Sequence, residues 1–367
     1  MTNTISLSTF SEDTYEYRIG SDLNFLAQYI STQYDTDKVF LLIDENVQTL
    51  HGERILAALQ QCDVEVISQQ IPQGETSKSL EHYTRLCNFL LTHKIRRGTP
   101  VIAAGGGVTG DLAGFAAATV LRGVPLIHLP TTLLAMVDSS LGGKTAINYE
   151  TGKNVIGSFY QPDLVLADIE FLSTLPDQEW INGMSEMIKY AAISRTEMFD
   201  ELADVAENTG FTPSDTWKQL IAKSAQVKAD IVEKDVKESG IRAFLNFGHT
   251  FGHALEKVVE YGKISHGEAV FIGMIAEAFY SQKMNHSVDL YNIERFIPYY
   301  NPKLSVDQHD KTDIRTLIEA MKYDKKIKKD KIRLVLLKDY GNPYLHSVEN
   351  KEFLVDAWRY AFSAIHT

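Results

Sequence analysis

"VIAAGGGVTGDLAGFAAATVL", Val101 to Leu121, is the stretch that decides the fold class. Its apolar opening, without polar alternation, reads as a buried strand, the glycines as a tight turn, and the small residues after them as a helix starting near Asp111. Gly105, Gly107 and Gly110 satisfy G-x-G-x-x-G in letters, a pattern that lets backbone approach a pyrophosphate above a helix N-terminus. A packing turn satisfies the same letters. The loop begins only at Gly105, and no acid lies some 20 positions beyond it to take a ribose hydroxyl.

Outward from this turn the same alternation continues. "KVFLLID" (Lys38 to Asp44), "VEVI" (Val64 to Ile67), "PVIAAGGG" (Pro100 to Gly107), "PLIHLP" (Pro125 to Pro130) and "DLVLADI" (Asp163 to Ile169) read as buried, parallel-type strands, with helical patterns between them such as Lys78 to His93. That order predicts an α/β Rossmann-like part with a mainly parallel sheet and ligands beyond the C-terminal strand ends. Asp44 closes the first of these strands, where a ribose-binding carboxylate belongs, although a surface Asp would also fit.

The pattern changes near "STLPDQEW". From Asp177, read as an N-cap, Trp180, Ile181, Met184, Met187, Ile188 and Ala191 follow the helical period. Helical patterns then dominate to the C-terminus, with one late strand at Ile332 to Leu337. The division predicted is an α/β part over 1–178 and a mainly α-helical part over 179–367, and 367 residues suffice for two cores. "KKIKKDK" (Lys325 to Lys331) reads as a solvated loop.

Composition excludes several functions. A net charge of −12 argues against a broad nucleic-acid or anionic-membrane surface, so cations for an anionic substrate must be placed locally. No apolar run reaches the ~18 residues of a membrane span, and the N-terminal stretch lacks the features of a signal peptide. The expected location is the cytoplasm. Cys62 and Cys87 stand in no metal or redox spacing and read as buried free thiols.

Two further stretches carry chemistry. "PTTLLAMVDSSLGGKTAINYETGKNVIGSFYQP" (Pro130 to Pro162) sets Asp138, Lys144, Lys153 and Asn154 among glycines and small hydroxyl residues. Lysines in such loops anchor phosphate or carboxylate, although a solvated loop has a similar composition. His249, His253 and His266 lie close together in sequence, and the i, i+4 spacing of the first two nominates them as a pair on one helix face. Glu186, Glu256 and Glu268 are the carboxylates that could complete a two-histidine metal set.

In "GGGVTGDLAGFAAATVLRG", the Pro130 to Pro162 stretch, "MSEMIKY", "GIRAFLNFGHTFGHALE" and "HGEAV", the chain resembles the 3-dehydroquinate synthases. The resemblance spans most of Gly105 to Val270 and is looser outside it. It implies a cytoplasmic homodimer of two-domain chains. The implied reaction takes 3-deoxy-D-arabino-heptulosonate 7-phosphate to 3-dehydroquinate and phosphate in the shikimate pathway, with NAD used catalytically and one divalent metal, zinc before cobalt.

The same resemblance assigns the metal to Glu186, His249 and His266, and moves His253 to the substrate phosphate. It gives the dinucleotide Asp44, Glu75, Lys78, Gly106, Gly107, Val108, Thr109, Gly110, Asp111, Thr131, Thr132, Lys144, Lys153, Phe171, Leu172, Ser173 and Thr174. Substrate falls to Asp138, Lys144, Asn154, Lys189, Lys228, Arg242, Asn246, His253 and Lys325, with Arg122 reaching over from a partner subunit. Rival readings are a related sugar-phosphate cyclase, a metal-dependent polyol dehydrogenase and a silent NAD sensor.

Overall fold

The computed structural model describes residues 14–150, 152–238, 240–259, 264–300, 314–322 and 332–366. Six parallel strands form one sheet: β1 (Glu16–Gly20), β2 (Lys38–Asp44), β3 (Glu65–Ile71), β4 (Val101–Gly105), β5 (Leu126–Pro130) and β8 (Leu164–Asp168). Their order is β1-β8-β5-β4-β2-β3. Between β5 and β8, β6 (Lys144–Tyr149) and β7 (Gly152–Phe159) pair as a separate antiparallel hairpin.

The alternation of β2 explains the layers. Val39, Leu41 and Ile43 face one cluster with α1 (Phe25–Gln33) and α2 (Glu45–Leu59), whereas Phe40 and Leu42 face a second cluster with α3 (Leu80–Thr92) and α4 (Gly107–Thr119). Both faces are covered, which is why these strands read as continuous apolar runs. The chain passes from β2 outward to β3 and returns to β4 on the other side of β2. Asp44 and Gly105 thus end adjacent strands on either side of a topological switch point, where open α/β sheets take ligands.

Helices follow: α5 (Asp177–Ile193), α6 (Met198–Asn208), α7 (Asp215–Lys234), α8 (His249–Val258), α9 (His266–Lys283), α10 (Tyr291–Glu294), α11 (Ile297–Tyr300), α12 (Ile314–Met321) and α13 (Lys351–Ala364). Their core is continuous with the α1–α2 face of the sheet. α8 and α9 lie so close that a Cβ on Gly273 would stand 1.9 Å from the carbonyl oxygen of Gly248. Ser265 and Glu268 close a reciprocal capping box at the start of α9.

Several expectations are corrected. α4 begins at Gly107, not near Asp111, because the uncapped glycine turn is itself the first helical turn. Pro176, not Asp177, is the N-cap of α5; Asp177 is its first residue, where a negative charge suits the helix dipole. β3 runs past Ile67 to Ile71 and is a half-exposed edge strand, while β9 (Arg333–Leu337) pairs with a second late strand, β10 (Pro343–Ser347). Cys62 is buried, but Cys87 is only half-buried. Lys325 and the basic run around it lie outside the described residues. Among the described residues no helix is long and apolar enough to cross a membrane.

Candidate active site

Apart from Lys144 and Lys153, the candidate cofactor residues lie at or just beyond C-terminal strand ends. Asp44 ends β2; Glu75 and Lys78 lie in a 3₁₀ turn after β3; Gly106, Gly107, Val108, Thr109, Gly110 and Asp111 follow β4; Thr131 and Thr132 follow β5; Phe171, Leu172, Ser173 and Thr174 follow β8. Asp44 also caps α2, accepting the backbone N–H of Asn46 at 2.9 Å. Gly106 fits closely, since a Cβ there would meet the Thr132 methyl at 3.1 Å and press it aside by a few tenths of an ångström. No side chain caps the N-terminus of α4, so its leading N–H groups face the strand-end crevice without a side-chain acceptor.

The Phe171 to Thr174 turn is held from α2. His51 Nε2 stands 2.7 Å from Thr174 Oγ1, and Arg54 donates to the buried Asp168 carboxylate at 2.5 Å. Lys78 is buried and donates to Asp111 Oδ2 at 2.6 Å and to Asn154 Oδ1 at 2.5 Å. Asn154 sits at φ +53°, and its backbone N–H reaches Asn148 Oδ1 at 2.9 Å. The β6–β7 hairpin is thereby tied to both the 3₁₀ turn and α4. Lys144 and Lys153 stand on strands of this hairpin, not in the Gly-flanked loops the composition suggested.

Across from the hairpin, α5 carries Glu186 and Lys189, one turn apart and in direct contact. Small neighbours make this possible: Gly183 lies against Leu133 and the backbone of Leu134, so α5 beds tightly under the turn that carries Asp138. Lys228 of α7 reaches Asp138 Oδ1 at 2.8 Å, the Tyr190 hydroxyl donates to the same oxygen at 2.5 Å, and Lys189 stands at 4.0 Å. Burial alone would raise the Asp138 carboxyl, but Lys228 and then Lys189 hold it far below the ordinary carboxylate range.

Arg242 is almost wholly buried and donates to the carbonyls of Val236, at 2.5 Å, and Gly142, at 3.1 Å. Asn246 donates to Glu238 Oε1 at 3.3 Å, and Glu238 Oε2 accepts from Lys144 at 2.5 Å. Arg122 is exposed at φ +69°, and among the described residues it makes no ion pair. Its own chain gives it no place in this cluster.

Removing the cation beneath Asp138 has a defined cost. Lys228→Met is expected to lower stability at neutral pH by roughly 3 kcal/mol, the lower end for breaking a buried pair, since Lys189 remains nearby. A depressed carboxylate contributes stability above its unfolded pKa, and that contribution is lost as pH falls through the folded one. The variant's deficit should therefore shrink below about pH 4. Thermal unfolding at neutral and acid pH checks this.

The histidine cluster resolves into two overlapping groups. Glu186 Oε1 lies 3.6 Å from His249 Nε2 and 3.9 Å from His266 Nε2, and the three ligand atoms lie within 4.8 Å of one another. His253, Glu256 and His266 meet the same distance criterion, so the i, i+4 pair is split between the groups. Glu268 belongs to neither group among the described residues: its Oε2 closes the Ser265 cap, and no pair of histidine nitrogens gathers around it.

Glu186 Oε1 is buried and has no hydrogen-bond partner, although Oε2 of the same carboxylate meets Lys189. An orphaned carboxylate oxygen facing two imidazole nitrogens fits a divalent cation with an open position. Burial, then Lys189, pushes His249 well below the ordinary histidine range, which keeps its ring neutral and ligand-competent. Sequence reasoning missed Tyr190 and Glu238 as partners of this site. Tyr190 was findable as the neighbour of Lys189 in "MSEMIKY"; Glu238 lies outside the regular elements, with no spacing to signal it.

Residues 68–182 match the pattern described as 3-dehydroquinate synthase N-terminal, and residues 183–327 match 3-dehydroquinate synthase C-terminal. The chain belongs to the 3-dehydroquinate synthase family. It is 43% identical to the 3-dehydroquinate synthase of Salinibacter ruber over 89% of either chain. It is also 43% identical to that of Bacillus cytotoxicus, covering 85% of this chain and 84% of the relative.

Among solved structures, 2-deoxy-scyllo-inosose synthase in complex with carbaglucose-6-phosphate, NAD+ and Co2+ is 28% identical, with a TM-score of 0.83 over 95% of this chain and 98% of that one. The 2-epi-5-epi-valiolone synthase of Streptomyces hygroscopicus, with NAD+ and Zn2+ bound, shares the fold at 23% identity and a TM-score of 0.88, covering 98% of this chain and 99% of that one.

Proposed function

We propose that this member of the 3-dehydroquinate synthase family converts 3-deoxy-D-arabino-heptulosonate 7-phosphate to 3-dehydroquinate and phosphate, as a phosphate-eliminating lyase. The observation that carries the reading is a juxtaposition. Glu186, of the group with His249 and His266, shares α5 with Lys189, and Lys189 shares Asp138 with Lys228. A cation set beside convergent lysines suits an anionic polyol better than a plain alcohol.

NAD would lie along the strand-end crevice from Asp44 through the α4 N-terminus to Thr174, and Glu186, His249 and His266 would hold zinc or cobalt. When bound, NAD supplies a reversible oxidation that acidifies the neighbouring C–H for phosphate loss, and the cation supplies Lewis acidity at vicinal oxygens. The chain's own groups do the rest. Asp138 accepts substrate hydroxyls, with Tyr190 and Lys228 fixing its carboxylate. Lys144, Lys189, Lys228 and Arg242 offset the phosphate and carboxylate charge, Asn246 and His253 supply hydrogen bonds, and the substrate's own phosphate takes the proton, so no strong protein base is required. Arg242 and Lys144 must first leave their present partners, Gly142, Val236 and Glu238, to do so.

The reading divides the chain into 1–178 and 179–367, supported by the six-stranded sheet ending at Asp168 and the run of successive helices beginning at Asp177. A cytoplasmic homodimer, with Arg122 completing the partner's phosphate site, belongs to the same proposal; the exposure of Arg122 supports it.

The test is phosphate release. Protein with zinc, a trace of NAD and the heptulosonate phosphate should liberate phosphate over many turnovers without net NADH. Release only from a hexose 6-phosphate would favour a sister cyclase, and stoichiometric NADH without phosphate would favour a polyol dehydrogenase.

A further inference from the structure

Glu256 lies two turns beyond His249 on α8 and is buried. Its Oε2 stands 3.5 Å from His266 Nδ1, and its Oε1 accepts from Lys153 Nζ at 3.2 Å. Lys153 precedes Asn154 on β7, and Asn154 holds Lys78, which holds Asp111 on the helix behind the glycine loop. Polar contacts, with one covalent step along β7 from Asn154 to Lys153, thus join that helix to the ring of His266. A carboxylate at Nδ1 favours a proton on that nitrogen, which would leave Nε2, 3.9 Å from Glu186 Oε1, as the ligand atom when a cation is bound.

We infer that Glu256 is a positioning residue: it fixes the orientation and tautomer of His266 for a divalent cation and, through Lys153, makes cation affinity depend on the dinucleotide. This rests on Glu186, His249 and His266 being the cation set. A dinucleotide seated at the glycine loop orders α4, Lys78 and the hairpin. Lys153 is then held against Glu256, and Glu256 against His266. The dependence is reciprocal, because whatever factor NAD applies to cation affinity the cation applies to NAD. A series of contacts is not yet coupling, so the test measures the coupling itself.

Zn2+ affinity of the cation-stripped full chain is measured by competition with a chromophoric chelator, with and without saturating NAD. In the wild type, NAD should tighten Zn2+ binding roughly fivefold or more. E256Q keeps the side-chain volume and should weaken Zn2+ about 10–100-fold, with the NAD effect gone. K153M, altered on the hairpin rather than at the cation, should keep the NAD-free Zn2+ affinity and lose the NAD effect at NAD concentrations that a direct NAD titration of the variant shows to be saturating, because Lys153 is itself among the dinucleotide residues. It decides the coupling even if E256Q does not fold.

Unchanged Zn2+ affinity in E256Q overturns the positioning role, and a wild type indifferent to NAD overturns the coupling. Zn2+ lost from E256Q but retained by E186Q would make Glu256 a ligand in the His253 group and overturn the proposal. Zn2+ retained by H249A, with E256Q weakened, would instead overturn the cation-set reading on which the proposal rests.

Discussion

A Glu186→Gln variant is expected to be isolated without its divalent cation and to lose on the order of 10³-fold in kcat, the scale of several kcal/mol of charge stabilisation. Glutamine preserves the packing of α5 but puts an amide where the unpartnered Oε1 faces His249 Nε2 and His266 Nε2. Lys189 keeps Asp138 at 4.0 Å, so the fold should survive. Metal content of purified variants checks the ligand set directly. His266→Ala should be depleted, whereas His253→Ala should keep its cation and lose activity through weaker phosphate binding. Depletion of His253→Ala with retention by His266→Ala would reverse the assignment.

Gly273→Ala is the second large effect. The new Cβ would meet backbone rather than a yielding side chain: the Gly248 carbonyl oxygen at 1.9 Å and the Gly252 nitrogen at 3.0 Å. α8 would have to move off α9. Overpacking of this kind costs roughly 3 kcal/mol or more where backbone must shift. Gly248 is itself at φ +81°, pinned by a bond from its N–H to Glu277 Oε2 at 2.7 Å, and it directly precedes His249. Displacing it separates His249 from His266, which open adjacent helices. The variant should therefore show both a lower Tm and weaker cation binding. Full Zn2+ affinity in a destabilised variant would mean that α8 tolerates the shift.

The sheet was legible because its central strands are buried on both faces, so β2, β4, β5 and β8 read as unbroken apolar runs. β1 was not, because an exposed edge strand of five residues carries polar side chains and no turn signal strong enough to mark it. The β6–β7 hairpin hid inside a lysine- and glycine-rich composition typical of loops; its pairing satisfies the backbone, and its lysines point to carboxylates far along the chain.

At the site, periodicity put His249 and His253 on one face but could not say which ring meets Glu186, since that depends on where α5 and α9 pack. The motifs shared with the family assigned the roles that spacing left open. The present partners of Arg242 and Lys144 were invisible in the sequence, because backbone carbonyls carry no residue signature and Glu238 belongs to no pattern.

The register of β1 against β8, Glu16 opposite Leu164, carries a consequence for biogenesis. On the ribosome β1 emerges long before β8, its one sheet neighbour among the described residues, exists, so the edge must wait, unpaired, while the rest of the sheet is made. Chaperone demand during synthesis and slow refolding from denaturant should concentrate in that wait, because loop-closure entropy is lost before such distant pairing repays it.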